Sequence, residues 1–134
     1  MPAAGFALGV DLGTSNTVAV LRWPDGRTKP LLFDGSPLLP SAVYAEPGSH
    51  GRPGSGPNAT GGLLTGRDAV HTARVDPARF EPNPKRRIDE GTVLLGDREV
   101  PVVDMLAAVL RRVWIETTRI TGGLPTSETT LTCP

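Results

Sequence analysis

One stretch near the start of the chain constrains the fold most. Gly9-Val10-Asp11-Leu12-Gly13-Thr14-Ser15-Asn16-Thr17 is followed by Val18-Ala19-Val20-Leu21. Phe6 to Val10 is a short apolar run with a β-branched end, and Val18 to Leu21 is a second, so the pattern predicts strand, tight turn, strand. Between the runs stand a carboxylate, a glycine and three side chains bearing a hydroxyl or an amide. Such a turn can aim backbone N–H groups and hydroxyls into one concavity and hold a phosphate chain there. An Asp at a strand end suits a hydrated Mg²⁺, which prefers few carboxylates and keeps several waters. Gly13 lets the backbone approach a ligand closely. The same residues would serve a plain hairpin loop, since turns are rich in them. The stretch is neither a Walker loop nor a dinucleotide fingerprint, because no Gly-Lys-Ser/Thr and no later glycines follow.

Downstream, Pro24-Asp25-Gly26 and Asp34-Gly35-Ser36-Pro37 are turn signals that bracket a third strand at about Lys29 to Phe33. Pro40-Ser41 leads into a fourth strand over Ala42 to Ala45. Glu46 to Gly62 is dense in Gly, Pro and Ser without apolar periodicity, which predicts a flexible surface loop containing His50. Leu63 to Gly66 is a short strand and stop. Arg67 to Ala73 follows as a short helix with Ala69, Val70 and Ala73 on one face and His71 exposed or capping. Asp76-Pro77 ends that helix. Thr92 to Val100 predicts a hairpin about Gly96-Asp97. Pro101 opens a helix to about Arg119, its apolar stripe being Val102, Leu106, Val109, Leu110 and Val113. Arg111, Arg112, Glu116 and Arg119 fall off that stripe, and Trp114 and Ile115 extend it. Gly122-Gly123 ends the helix. Thr129 onward begins a strand, and Cys133 reads as a small buried hydrophobe.

Composition enters as a set of exclusions. The chain has 134 residues, enough for one domain with a modest core. Basic and acidic residues number 14 each, so net charge implies neither a nucleic-acid nor another polyanionic partner. A single cysteine allows no intrachain disulfide, which fits a reducing, cytoplasmic setting. The first residues lack the positive leader and apolar core of a signal peptide, and no apolar run is long enough to span a bilayer.

Asp11-Leu12-Gly13-Thr14-Ser15-Asn16-Thr17 resembles the first phosphate motif of the actin-like ATPases, a superfamily that includes DnaK-type heat-shock chaperones, bacterial actins and sugar kinases. Four further features are similar to the chaperones in order: the Pro40-Ser41 strand, the Gly66 and Ala69 helix, the Lys85-Arg86 pair, and Thr132-Cys133-Pro134 after the long helix. The resemblance implies an α/β fold, the first lobe of an actin-like (ribonuclease H-like) ATPase domain. That lobe is a mixed sheet of hairpins with a long packing helix. Residues 1–134 would form its N-terminal portion, with the second lobe and the peptide-binding domain absent from this stretch. The resemblance also implies ATP or ADP with Mg²⁺ as cofactors. Asp11 would hold the metal through water and take part in catalysis. Gly13, Thr14, Ser15 and Asn16 would surround the phosphates, and Lys85 would reach the γ-phosphate and the attacking water. Pro134 would belong to a switch that couples nucleotide state to the second domain. Partners would be unfolded client polypeptides and co-chaperones, with no nucleic acid and no membrane. Arg87, Asp89 and Glu90 replace the aromatic residue and glycine common around the Lys-Arg pair. The alternatives are a non-catalytic scaffold that keeps the fold, a sugar kinase or a bacterial actin homologue.

Overall fold

The computed structural model describes residues 5–47, 59–60 and 62–133. The predicted opening hairpin is present and longer than its apolar runs. Strands β1 (Phe6–Leu12) and β2 (Asn16–Arg22) pair antiparallel from Ala7↔Arg22 to Leu12↔Thr17. Side chains alternate faces along a strand. Leu8, Val10 and Leu12 of β1 therefore turn inward with Thr17, Ala19 and Leu21 of β2, whereas Asp11 lies on the opposite, open face.

The third strand is shorter than predicted. β3 (Thr28–Pro30) pairs with β2, and the chain then leaves the sheet. Phe33 and Ser36 exchange both backbone bonds around Asp34 and Gly35, whose φ of 53° and 81° suit a tight reversal. β4 (Leu39–Pro40) returns beside the start of β2, with Asn16↔Pro40 and Thr17↔Leu39 in register.

β5 (Val43–Ala45) begins a second sheet of order β6-β7-β5-β8, formed with β6 (Ala59–Thr60), β7 (Leu63–Thr65) and β8 (Phe80–Glu81). The predicted 46–62 loop falls for the most part outside the described residues, as does His50. Its Ala59–Thr60 end is a correction, since these residues pair with Leu63 and Leu64. Helix α1 (Gly66–Thr72) follows directly, with Gly66 at φ 61°. A Cβ there would sit 2.7 Å from Leu39 Cδ1, so only glycine lets the helix start pack on β4. Ala69 is buried as predicted, but Val70 is 45% exposed, because the buried face of α1 runs through Gly66 and Ala69 and Val70 turns off it.

Asp76 caps a 3₁₀ turn, Pro77–Arg79, by accepting from the Ala78 N–H. A second 3₁₀ segment, Pro84–Glu90, carries Lys85. The predicted hairpin follows as β9 (Thr92–Leu95) and β10 (Arg98–Pro101). Helix α2 (Val102–Thr121) then runs for 20 residues and stops at Gly122 in the left-handed region.

The buried face of α2 is rotated from the predicted stripe. Val102, Val109 and Val113 are buried, but their company is Met105, Ala108, Arg112, Glu116 and Thr117. Leu106 and Leu110 lie at the margin of the core, and Trp114 is 49% exposed. Arg112 and Glu116 are buried as a charge pair, and Arg112 also meets a ring. Their ion pair spans 3.7 Å, and the Arg112 guanidinium stacks 5.2 Å above Phe33. Arg119 completes the network at 2.6 Å from Glu116. Met105, Ala108, Val109 and Val113 share one core with the inward residues of β1 and β2 and with Val43 and Leu63 of the second sheet. Each large side chain so enclosed contributes about 1.5–3 kcal/mol.

β11 (Thr126–Thr132) completes the first sheet by lying parallel to β1, from Phe6↔Thr126 to Asp11↔Thr132. The architecture is thus mixed α/β, with parallel and antiparallel pairing in one sheet. Cys133 corrects the buried-hydrophobe reading, for it is exposed at the end of β11.

Candidate functional site

The β1–β2 turn is held from one side by its carbonyl oxygens. Lys85 Nζ donates to Leu12 O at 3.0 Å, across 73 residues of sequence. Ser41 Oγ donates to Gly13 O at 2.8 Å. The Asn83 amide, oriented so that its nitrogen faces acceptors, donates to Thr14 O at 3.2 Å and to Pro82 O at 3.2 Å. Ser41 N–H donates to Ser15 O at 2.9 Å. Four successive carbonyls are thereby engaged.

A hydroxyl has one proton to give. Ser41 gives its proton to Gly13, so the 2.9 Å contact with Thr17 Oγ1 is a bond that Thr17 donates. Both residues are enclosed, Thr17 at 0% and Ser41 at 1% exposure. Gly13 is required for a local reason: a Cβ at this position would collide with the Asn16 carbonyl oxygen.

With the carbonyls occupied, the Thr14 and Ser15 N–H groups hydrogen-bond to nothing among the described residues. Ser15 and Asn16 are exposed and Thr14 is half-buried. Successive backbone N–H groups left over in this way form a partly positive concavity suited to an anion. Asp11 lies one residue before the turn, exposed on the open face of β1, and no ion pair or side-chain hydrogen bond engages it among the described residues.

The structure therefore brings Gly13, Thr14, Ser15, Asn16 and Lys85 together at one bend, with Asp11 beside it. Pro134 lies outside the described residues. Mg²⁺ fits this donor set in one manner only. The described residues hold no group of three or more His, Cys, Asp or Glu that could bind a metal. A cation here would rely on phosphate oxygens and water, with Asp11 as the protein carboxylate near it.

Four residues that shape the turn carry no predicted role: Thr17, Ser41, Glu81 and Asn83. Thr17 and Ser41 stand within the quoted motifs, so their hydroxyls were legible as candidates. Glu81 and Asn83 bear no spacing signal. Glu81 is 4% exposed, and its carboxylate accepts from Asn83 N–H at 2.9 Å and from Arg87 Nε at 2.8 Å.

Three other hollows are present among the described residues. One of about 230 Å³ sits on the open sheet face among Ala7, Gly9, Arg22 and Glu128. An apolar one of about 200 Å³ lies between α2 and β11. A polar one of about 390 Å³ adjoins Asn83, between Phe80 and Arg87.

No protein-family model matches the chain, and no curated protein matches it. Among the described residues, no helix is long and apolar enough to cross a membrane.

Proposed function

We propose that this chain forms one wall of a nucleoside-triphosphate cleft in a DnaK-type chaperone, an ATPase whose nucleotide state governs its grip on unfolded polypeptides. One observation carries the reading: Lys85 reaches the Leu12 carbonyl from 73 residues away, so a cation stands beside a turn with unclaimed N–H groups. A compact ammonium there can offset the charge of a terminal phosphate and orient an attacking water. The Thr14 and Ser15 amides would hold phosphate oxygens. Asp11 would face the hydrated Mg²⁺ that accompanies them, and that ion would supply charge neutralisation when bound. The cytoplasmic setting and the co-chaperone partners belong to the same proposal.

The test is amide-resolved NMR titration of the chain with Mg-ATP. Shifts centred on Thr14 and Ser15, weakened by Asp11→Asn and by Lys85→Ala, support the reading. Absence of shifts at the turn at about 20 mM ligand, well above the millimolar dissociation constant expected of this segment, overturns it. A second reading, a scaffold that keeps the fold without hydrolysis, is favoured by Arg87, whose side chain is tied to Glu81 and Glu90 beside Lys85. Nucleotide binding with no ATP turnover in the protein carrying this segment would select it.

A further inference from the structure

We propose that Glu81 is a positioning residue for Lys85, acting through the backbone of Asn83. The proposal rests on the triphosphate reading only for what that placement serves.

A carboxylate that is almost fully enclosed is costly unless each oxygen is matched. Glu81 meets that condition. Oε2 accepts from Asn83 N–H and Oε1 from Arg87 Nε, at 2.9 and 2.8 Å. Its own backbone is fixed in the second sheet, where Glu81 pairs with Val43. One side chain therefore pins the segment at two points, two and six residues onward, and Lys85 lies between the pins. Pro82 and Pro84 fix φ at two of the intervening residues, which removes much of the remaining freedom. Within this bend the Asn83 amide clasps Thr14 O and Lys85 Nζ clasps Leu12 O. The second Arg87 contact, to Glu90, is a different case. Both of its side chains are about half exposed, at 46% and 50%, and such a pair contributes little.

The chain has two lysines, Lys29 and Lys85. Lys29 is exposed in β3 and serves as an internal reference for competitive acylation of the folded protein. Glu81→Gln and Asn83→Ala should each raise the Lys85 rate relative to Lys29 by about two- to tenfold, the population change that loss of one net hydrogen bond allows. Glu90→Gln should leave the ratio unchanged. Asn83→Ala keeps the backbone N–H that Glu81 holds and removes only the side-chain bond to Thr14 O, so the double variant should exceed either single effect. An unchanged ratio in Glu81→Gln overturns the proposal. A measurement on the unaltered protein covers the case in which Glu81→Gln does not fold. The Asn83 amide should exchange slowly with solvent, and exchange at the rate of an open loop overturns the proposal as well. Both readouts are taken without nucleotide. A chain that binds no ATP refutes the triphosphate reading and leaves Glu81 to be judged on its own data.

Discussion

Thr17 and Ser41 place their hydroxyl oxygens 2.9 Å apart in a fully enclosed position, and Ser41 passes its own proton to the Gly13 carbonyl. This relay ties β2, β4 and the turn into one unit. Ser41→Ala removes the group that both partners use and leaves them enclosed without it. It should cost about 1–3 kcal/mol, read from the urea midpoint, and should lower exchange protection around Asn16. Thr17→Val removes a donor and leaves Ser41 still bonded to Gly13, so it should cost less. Equal costs would show that the relay has no direction.

Gly13→Ala tests the turn itself. The new methyl meets the Asn16 carbonyl oxygen, which is backbone and has little room to yield. The substitution should shift the Thr14 to Asn16 amide resonances and destabilise the chain by about 1–3 kcal/mol. A shift confined to Gly13 with unchanged stability would show that the turn relaxes freely.

The described residues leave the turn open to water on one side, with Ser15 and Asn16 exposed. Charge interactions in such a setting are strongly screened. Calorimetry should therefore find Mg-ATP binding to residues 1–134 no tighter than about 1 mM, near −4 kcal/mol. Tight binding would mean that these residues already close around the ligand.

Glu116 supplies a pH signature. The hydrogen bond from Arg119 holds its carboxyl below the usual carboxylate range, helped by the charges of Arg119 and Arg112 and opposed by burial. A folded-state value below the unfolded one means stabilisation that is complete above the unfolded value of about 4.3 and lost as pH falls through the folded value. Chemical denaturation between about pH 5 and 2 should show this loss. Glu116→Gln should flatten that part of the profile while lowering stability at neutral pH. An unchanged acid limb would remove Glu116 from the linkage.

Arg112 is 6% exposed and lies over Phe33. A lysine keeps the charge but not the flat guanidinium, so Arg112→Lys should cost roughly 1–2 kcal/mol by thermal or urea unfolding. A neutral result would assign the stacking no weight.

Local chemistry made the opening hairpin, the Asp34-Gly35 reversal, the β9–β10 hairpin and the Gly122 stop legible in the sequence, because each depends on neighbouring residues alone. The face of α2 was less so. Helical spacing marked Leu106 and Leu110 as core residues, but Arg112 and Glu116 take buried positions as a charge pair, with Arg112 over Phe33, a partner that no periodicity names. The brevity of β3 was hidden for a similar reason, since Leu31 is buried by packing after its strand has ended. At the turn, the residue types showed what could bind, but the engagement of four carbonyls depends on Ser41, Asn83 and Lys85 arriving from two later segments. Glu81 gave no signal, because an isolated acid between an aromatic and a proline is unremarkable until its two donors are placed.

The parallel union of β1 with β11 has a temporal consequence. β1 must wait for the far later β11 before its outer edge is satisfied, while β2 follows it directly. Such distant closure is slow relative to hairpin formation. During synthesis β1 therefore keeps an unmated border until β11 has emerged, and the polypeptide is open to mispairing there in the interval.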